Sequence, residues 1–151
     1  DTVLSQAWDS RLGALPYANA SEALILASII EKESASNSER ALIAGVFVAR
    51  LDLGMRLQSD PTTIYGMGDR YAGNIRRADL LEETPYNTYR IDGMPPTPIA
   101  LSGKESILAA LNPSASDYLY FVARVDGSHQ FSRTLEEHNA AVREHQLGSS
   151  N

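Results

Sequence analysis

Apolar positions recur at helical spacing in both end thirds of the chain and lose that spacing in the middle. Over residues 21–34, Leu26, Ile29, Ile30 and Glu33 fall at i, i+3, i+4 and i+7, one face of a helix, while Glu31 falls on nearly the opposite side. A shorter amphipathic stretch from Val3 to Leu12 precedes this helix, and Pro16 and Asn19 mark the break between the two. Ser36 and Glu39 have the spacing of a capping box. They open a third helix that runs through Leu42, Val46, Ala49 and Leu53, with Gly54 as its stop.

Residues 55–103 hold five of the seven prolines and read as loops and short strands, with Asn87 to Ile91 the best strand candidate. Asp60 precedes Pro61, which pushes its backbone towards an extended conformation. A loop-rich stretch of this length inside one domain is usually functional. Order returns at a second capping box, Ser102 and Glu105, whose helix stops at Asn112-Pro113. Residues 118–124 and 129–132 make a β-hairpin across Val125 to Ser128. Thr134 and Glu137 form a third box and start a last helix to about Gln146. The expectation is an α+β domain: N-terminal helices, a loop-rich middle with short strands, a β-hairpin and a C-terminal helix. At 151 residues the chain suits one domain, residues 1–147, with a frayed polar tail at 148–151.

A formal net charge of −6 argues against non-specific nucleic-acid binding, which needs a basic face; Arg70, Arg76 and Arg77 make only a short basic strip. Having no cysteine excludes disulfides and thiolate metal sites. The longest apolar run ends at Ile30, far short of the ~20 residues that span a bilayer. The chain opens at Asp1 with a helix-like segment under way, and reads as an excised domain. No metal or cofactor is expected. His138 and His145 lie seven apart without a third ligand at helical spacing, and no phosphate loop, dinucleotide fingerprint or nucleophile elbow is present.

Glu33 ends an apolar stripe. Burial disfavours an ionised carboxyl and raises its pKa, which is what a general acid in glycosidic bond cleavage requires. Gln58, Ser59, Asp60, Thr62 and Tyr65 supply polar groups beside aromatic area, a mixture that suits a sugar, and Tyr86, Asn87 and Tyr89 have the same character. Tyr118 and Tyr120 alternate on the hairpin, and at least one belongs to the core. These residues alone leave plainer readings open: a helix end turning to water at Glu33, and a loop whose side chains satisfy its own backbone.

Longer motifs narrow the choice. Residues 27–33 (Ala-Ser-Ile-Ile-Glu-Lys-Glu), Ser38-Glu-Arg40, residues 46–51 and 54–66, Tyr86-Asn-Thr-Tyr89 and Gly93-Met-Pro-Pro96 occur in order. Ala109 to Pro113, Tyr118 to Val122 and His129-Gln-Phe131 continue the series. Together they resemble the endolytic murein transglycosylases of the MltG (YceG-like) family over roughly residues 20–145. The resemblance implies a bacterial enzyme that cuts peptidoglycan glycan strands internally, between N-acetylmuramic acid and N-acetylglucosamine, leaving 1,6-anhydro ends. It implies a lysozyme-like arrangement with Glu33 as the catalytic acid, then base. It also implies an inner-membrane protein whose catalytic domain faces the periplasm, anchored by an N-terminal transmembrane segment and carrying a LysM-like part, neither in this chain. The resemblance further implies cell-wall synthases as expected partners at family level. Gln58, Ser59, Asp60, Thr62, Tyr65, Tyr86, Asn87 and Tyr89 are candidate groove residues by clustering. The competing readings are a hydrolytic muramidase using Glu33 and Asp60, and a non-catalytic glycan-binding module.

Overall fold

The structure, a computed structural model, describes residues 2–11, 13–34 and 36–147, with the side chains of 146 and 147 left aside. The tail expected at 148–151 lies outside the described residues, as does Leu12 at the end of the first expected helix. Helices α1 (Thr2–Asp9), α2 (Ala20–Glu33) and α3 (Asn37–Asp52) follow one another. Two shorter helices, α4 (Asp60–Met67) and α5 (Arg77–Leu81), occupy the middle, and α6 (Lys104–Leu111) returns to pack along α2, α3 and α1. Strands β1 (Tyr120–Ala123) and β2 (His129–Ser132) form an antiparallel hairpin with Phe121 opposite Phe131. Helix α7 (Leu135–Val142), continued by a π-helical turn over Arg143–Leu147, lies on both strands. This is the expected α+β class. Among the described residues no helix is long and apolar enough to cross a membrane.

The helix periodicity translates directly into the core. Leu26, Ile29 and Ile30 of α2 are fully buried with Ile43 and Phe47 of α3 and Leu111 of α6. Each such side chain contributes about 1.5–3 kcal/mol through burial. Asn19 caps α2 by accepting from the Glu22 backbone N–H, and Glu22 in turn accepts from that of Ala18, one residue off a regular capping box. At the other end Ser34 leaves the helix in extended conformation. Glu33 is therefore the last helical residue.

Several expectations change. Residues 87–91 form turns rather than a strand, because Arg90 and Ile91 both donate to the Asn87 carbonyl. No strand forms anywhere in the middle among the described residues. Asp60 opens α4 instead of staying extended: Pro61 sits in the first helical turn, where its missing N–H breaks no bond. Half of the capping box forms at Ser36 and at Thr134, and neither half forms at Ser102. Ser36 caps α3, but Glu39 turns away to accept from both the backbone N–H and the ring Nδ1 of His129, each at 2.9 Å. Gly103 rather than Ser102 stands at the cap of α6, where Glu31 accepts from Gly103 N and Ser106 Oγ. Thr134 caps α7, and Glu137 reaches back one residue further, to Arg133 N.

Candidate active site

The carboxyl at the end of α2 meets the loop before α4. Ser59 Oγ donates to Glu33 Oε2 at 3.0 Å, and Ser59 is fully buried. A network of buried hydroxyls fixes Ser59: its N–H donates to Thr88 Oγ1 at 2.8 Å, that oxygen lies 2.8 Å from Thr62 Oγ1, and Thr62 donates to the Ser59 carbonyl at 2.7 Å. The next residue, Asp60, accepts from the Tyr89 hydroxyl at 2.6 Å. Tyr89 is positioned by Asn87, whose Oδ1 accepts from Tyr89 N and whose Nδ2 donates to the carbonyls of Leu80 and Glu82.

Glu33, Gln58, Asp60 and Tyr89 line a cavity of about 490 Å³, within the range of roughly 300–1,000 Å³ usual for ligand sites. Burial, reinforced by the charge of Asp60 and opposed by the Ser59 hydrogen bond, pushes the Glu33 carboxyl up to about 7. A carboxyl tuned this way is partly protonated at neutral pH and can both give and take a proton. Tyr89 is held in its phenol form by burial and by its bond to Asp60. Glu31, by contrast, lies below the ordinary carboxylate range because of its bonds from Gly103 and Ser106, and serves as a cap. The two glutamates two residues apart do different work because the helix points them apart.

The other candidates separate. Thr62 and Asn87 are buried, at 0% and 1% exposure, and shape the loop rather than meet a ligand. Tyr65 and Tyr86 do not line the cavity; their rings pack together at 4.8 Å, and the Tyr86 hydroxyl pairs with Thr97. Gln58 has φ of 53°, a left-handed conformation that side chains other than glycine rarely adopt, and it sits on the cavity lip.

More of the cavity lining comes from residues outside the groove candidates. Arg50 of α3 is buried, donating to the Leu119 and Arg56 carbonyls at 2.7 Å each, and its guanidinium lies 4.9 Å from the Tyr120 ring centre. Tyr120 stacks in turn on His138 of α7 at 5.1 Å. The signal for Arg50 is the one that finds Glu33: Ile43, Val46, Phe47 and Arg50 are spaced i, i+3, i+4 and i+7 and are all buried.

The model of the YceG-like family matches residues 1–144. The chain belongs to the YceG-like family. An endolytic murein transglycosylase of Bacillus subtilis (strain 168) is 44% identical over 128 residues, covering 85% of this chain and 35% of that protein. The protein of the same description from Streptococcus pneumoniae (strain D39) is 38% identical over 130 residues, covering 82% and 23%. The chain thus spans about a third or less of the curated relatives' length. A YceG-like protein of Listeria monocytogenes, solved by crystallography, superposes with a TM-score of 0.77 at 47% identity, covering 82% of this chain and 40% of that one.

Proposed function

We propose that this YceG-like domain is the catalytic part of an endolytic peptidoglycan lytic transglycosylase, with Glu33 as its acid and then its base. The observation that carries the reading is a carboxyl on the wall of an open cavity with its pKa raised to about 7. The names of the relatives supply the substrate class. In its acid form Glu33 protonates the glycosidic oxygen between N-acetylmuramic acid and N-acetylglucosamine, and the bond to muramic C1 breaks with oxocarbenium character. The negative charge of Asp60, held in place by Tyr89, stabilises the positive charge that develops. The Glu33 carboxylate then takes the proton from the C6 hydroxyl of the same sugar, and O6 bonds to C1. Acid and base are regenerated, and no water is consumed. Because the nucleophile belongs to the substrate, orientation supplies much of the barrier reduction.

A hydrolytic muramidase is the second reading, favoured by Asp60 lining the same cavity as Glu33. Mass spectrometry of digested glycan strands distinguishes them: the transglycosylase product is one water lighter than the hydrolytic one. Glu33→Gln should abolish cleavage by either route with the fold intact; undiminished cleavage would remove Glu33 as the acid, and undiminished cellular function without cleavage would support a non-catalytic glycan-binding module. As part of this reading we place the domain on the periplasmic side of the inner membrane, near cell-wall synthases. Fractionation and crosslinking of the full-length protein test that placement.

A further inference from the structure

Helix α7 turns an unusual stripe towards the cavity. Leu135, His138, Asn139 and Val142, at i, i+3, i+4 and i+7, all line it, facing the same space as Glu33, Gln58 and Asp60. A stripe at this spacing on a packed helix is ordinarily apolar and closed over by core. Here it is half polar and faces open volume, and Leu135 stays 55% exposed.

The stripe is also held rigidly. Arg50 anchors the chain entering β1 through the Leu119 carbonyl and lies against Tyr120, and Tyr120 stacks on the His138 ring. His138 Nδ1 is buried and has no hydrogen-bond partner among the described residues. Burial and the nearby Arg50 charge push the imidazole pKa below its ordinary value, so the ring is neutral at neutral pH. A neutral imidazole has one donor and one acceptor. With Nδ1 enclosed, Nε2 is the ring's other polar atom able to meet a ligand. Asn139 adds a carboxamide with two donors and an acceptor, and Leu135 adds an apolar edge one turn away. Donor, acceptor and apolar edge on one helix face match a small amide bearing a methyl group.

We propose that this face of α7 is a saccharide-recognition wall in the cavity that Glu33 lines, with His138 and Asn139 hydrogen-bonding the 2-acetamido group of a bound sugar and Leu135 packing its methyl. This rests on the glycan reading above. Arg50 and Tyr120 act on it as positioning residues.

The test uses the Glu33→Gln chain as a non-cleaving parent. Its binding to amidase-stripped glycan strands, fully N-acetylated or chemically N-deacetylated, is measured by titration calorimetry. The parent should prefer acetylated strands at least fivefold, and adding His138→Ala with Asn139→Ala should weaken binding to acetylated strands by at least that factor and erase the preference. Circular dichroism checks that the fold persists, and Asn139→Asp and His138→Gln replace any variant that does not fold. If the parent discriminates and the folded variants discriminate equally, the α7 wall is overturned while the glycan reading stands. A parent that binds strands without regard to acetylation has the same consequence. If the parent binds no strand of either kind, both fall.

Discussion

Ser59 Oγ donates to Glu33 Oε2 at 3.0 Å, so the candidate acid is tied to the loop before α4 rather than to a neighbour on its own helix. That bond favours the ionised carboxylate, while the charge of Asp60 disfavours it. Removing them should therefore have opposite effects. Ser59→Ala should raise the Glu33 pKa above about 7 and Asp60→Asn should lower it, each by about one unit, the worth of one such interaction. The alkaline limb of the pH–rate profile for strand cleavage should move up in the first variant and down in the second. An alkaline limb that stays in place in both variants would show that neither group tunes Glu33, and movement in one direction in both would overturn the assignment of one of them.

The raised pKa also has a cost in stability. Between the ordinary carboxyl value of 4.5 and about 7, the folded chain binds a proton at Glu33 that the unfolded chain has released. Stability from this group is thus complete below pH 4.5 and is lost as the pH climbs to about 7. The loss is on the order of 3 kcal/mol. Glu33→Gln carries no such proton. Its stability relative to wild type, from urea unfolding at a series of pH values, should rise across that window and level off above it. A difference that does not change with pH would show that the carboxyl is not sheltered.

Glu39 works in the other direction. Burial pushes its carboxyl up, but the bonds from the His129 ring and backbone outweigh burial and leave it below the ordinary range. Its contribution is therefore present above the unfolded pKa and lost as the pH falls through the depressed folded value. Glu39→Gln should cost about 1–2 kcal/mol near neutral pH, a penalty that shrinks in acid. Since this pair ties α3 to β2, backbone amides of 129–132 should exchange faster than those of α2. Exchange that speeds up equally in both elements would place the loss in global stability instead.

Helices α1, α2, α3, α6 and α7 were legible because burial follows a period that side chains report directly, whereas α4 and α5 lie in the stretch read as loops and short strands. Leu26, Ile29, Ile30 and Glu33 share a face in the sequence and in the structure. The hairpin was legible for a similar reason, with a Val-Asp-Gly-Ser turn between two β-prone runs. The loop region was not, because its conformation is set by long-range side-chain bonds. Asn87 gathers the carbonyls of residues 80 and 82 and the N–H of Tyr89, and no local pattern announces that. The groove candidates mixed two populations for the same reason. Thr62 and Asn87 are polar in order to build the loop, whereas Gln58, Asp60 and Tyr89 reach the cavity. His138 and Asn139 escaped because the cavity joins the C-terminal helix to a residue more than 100 positions earlier.

Gln58 offers a case where stability and function should part. Its φ of 53° places a side-chain-bearing residue in the left-handed region, at a cost of roughly 1–2 kcal/mol. Glycine adopts that conformation freely but brings a more flexible unfolded chain, which offsets part of the gain. Gln58→Gly should therefore stabilise the fold by about 0.5–1 kcal/mol. The same change removes a carboxamide from the cavity lip, so binding to stripped glycan strands should weaken severalfold. Strain is kept at functional positions when the strained residue contributes to the site. Urea midpoints and strand titrations on one preparation read both effects. A less stable variant would refute the strain, and a more stable one with unchanged binding would remove Gln58 from the site.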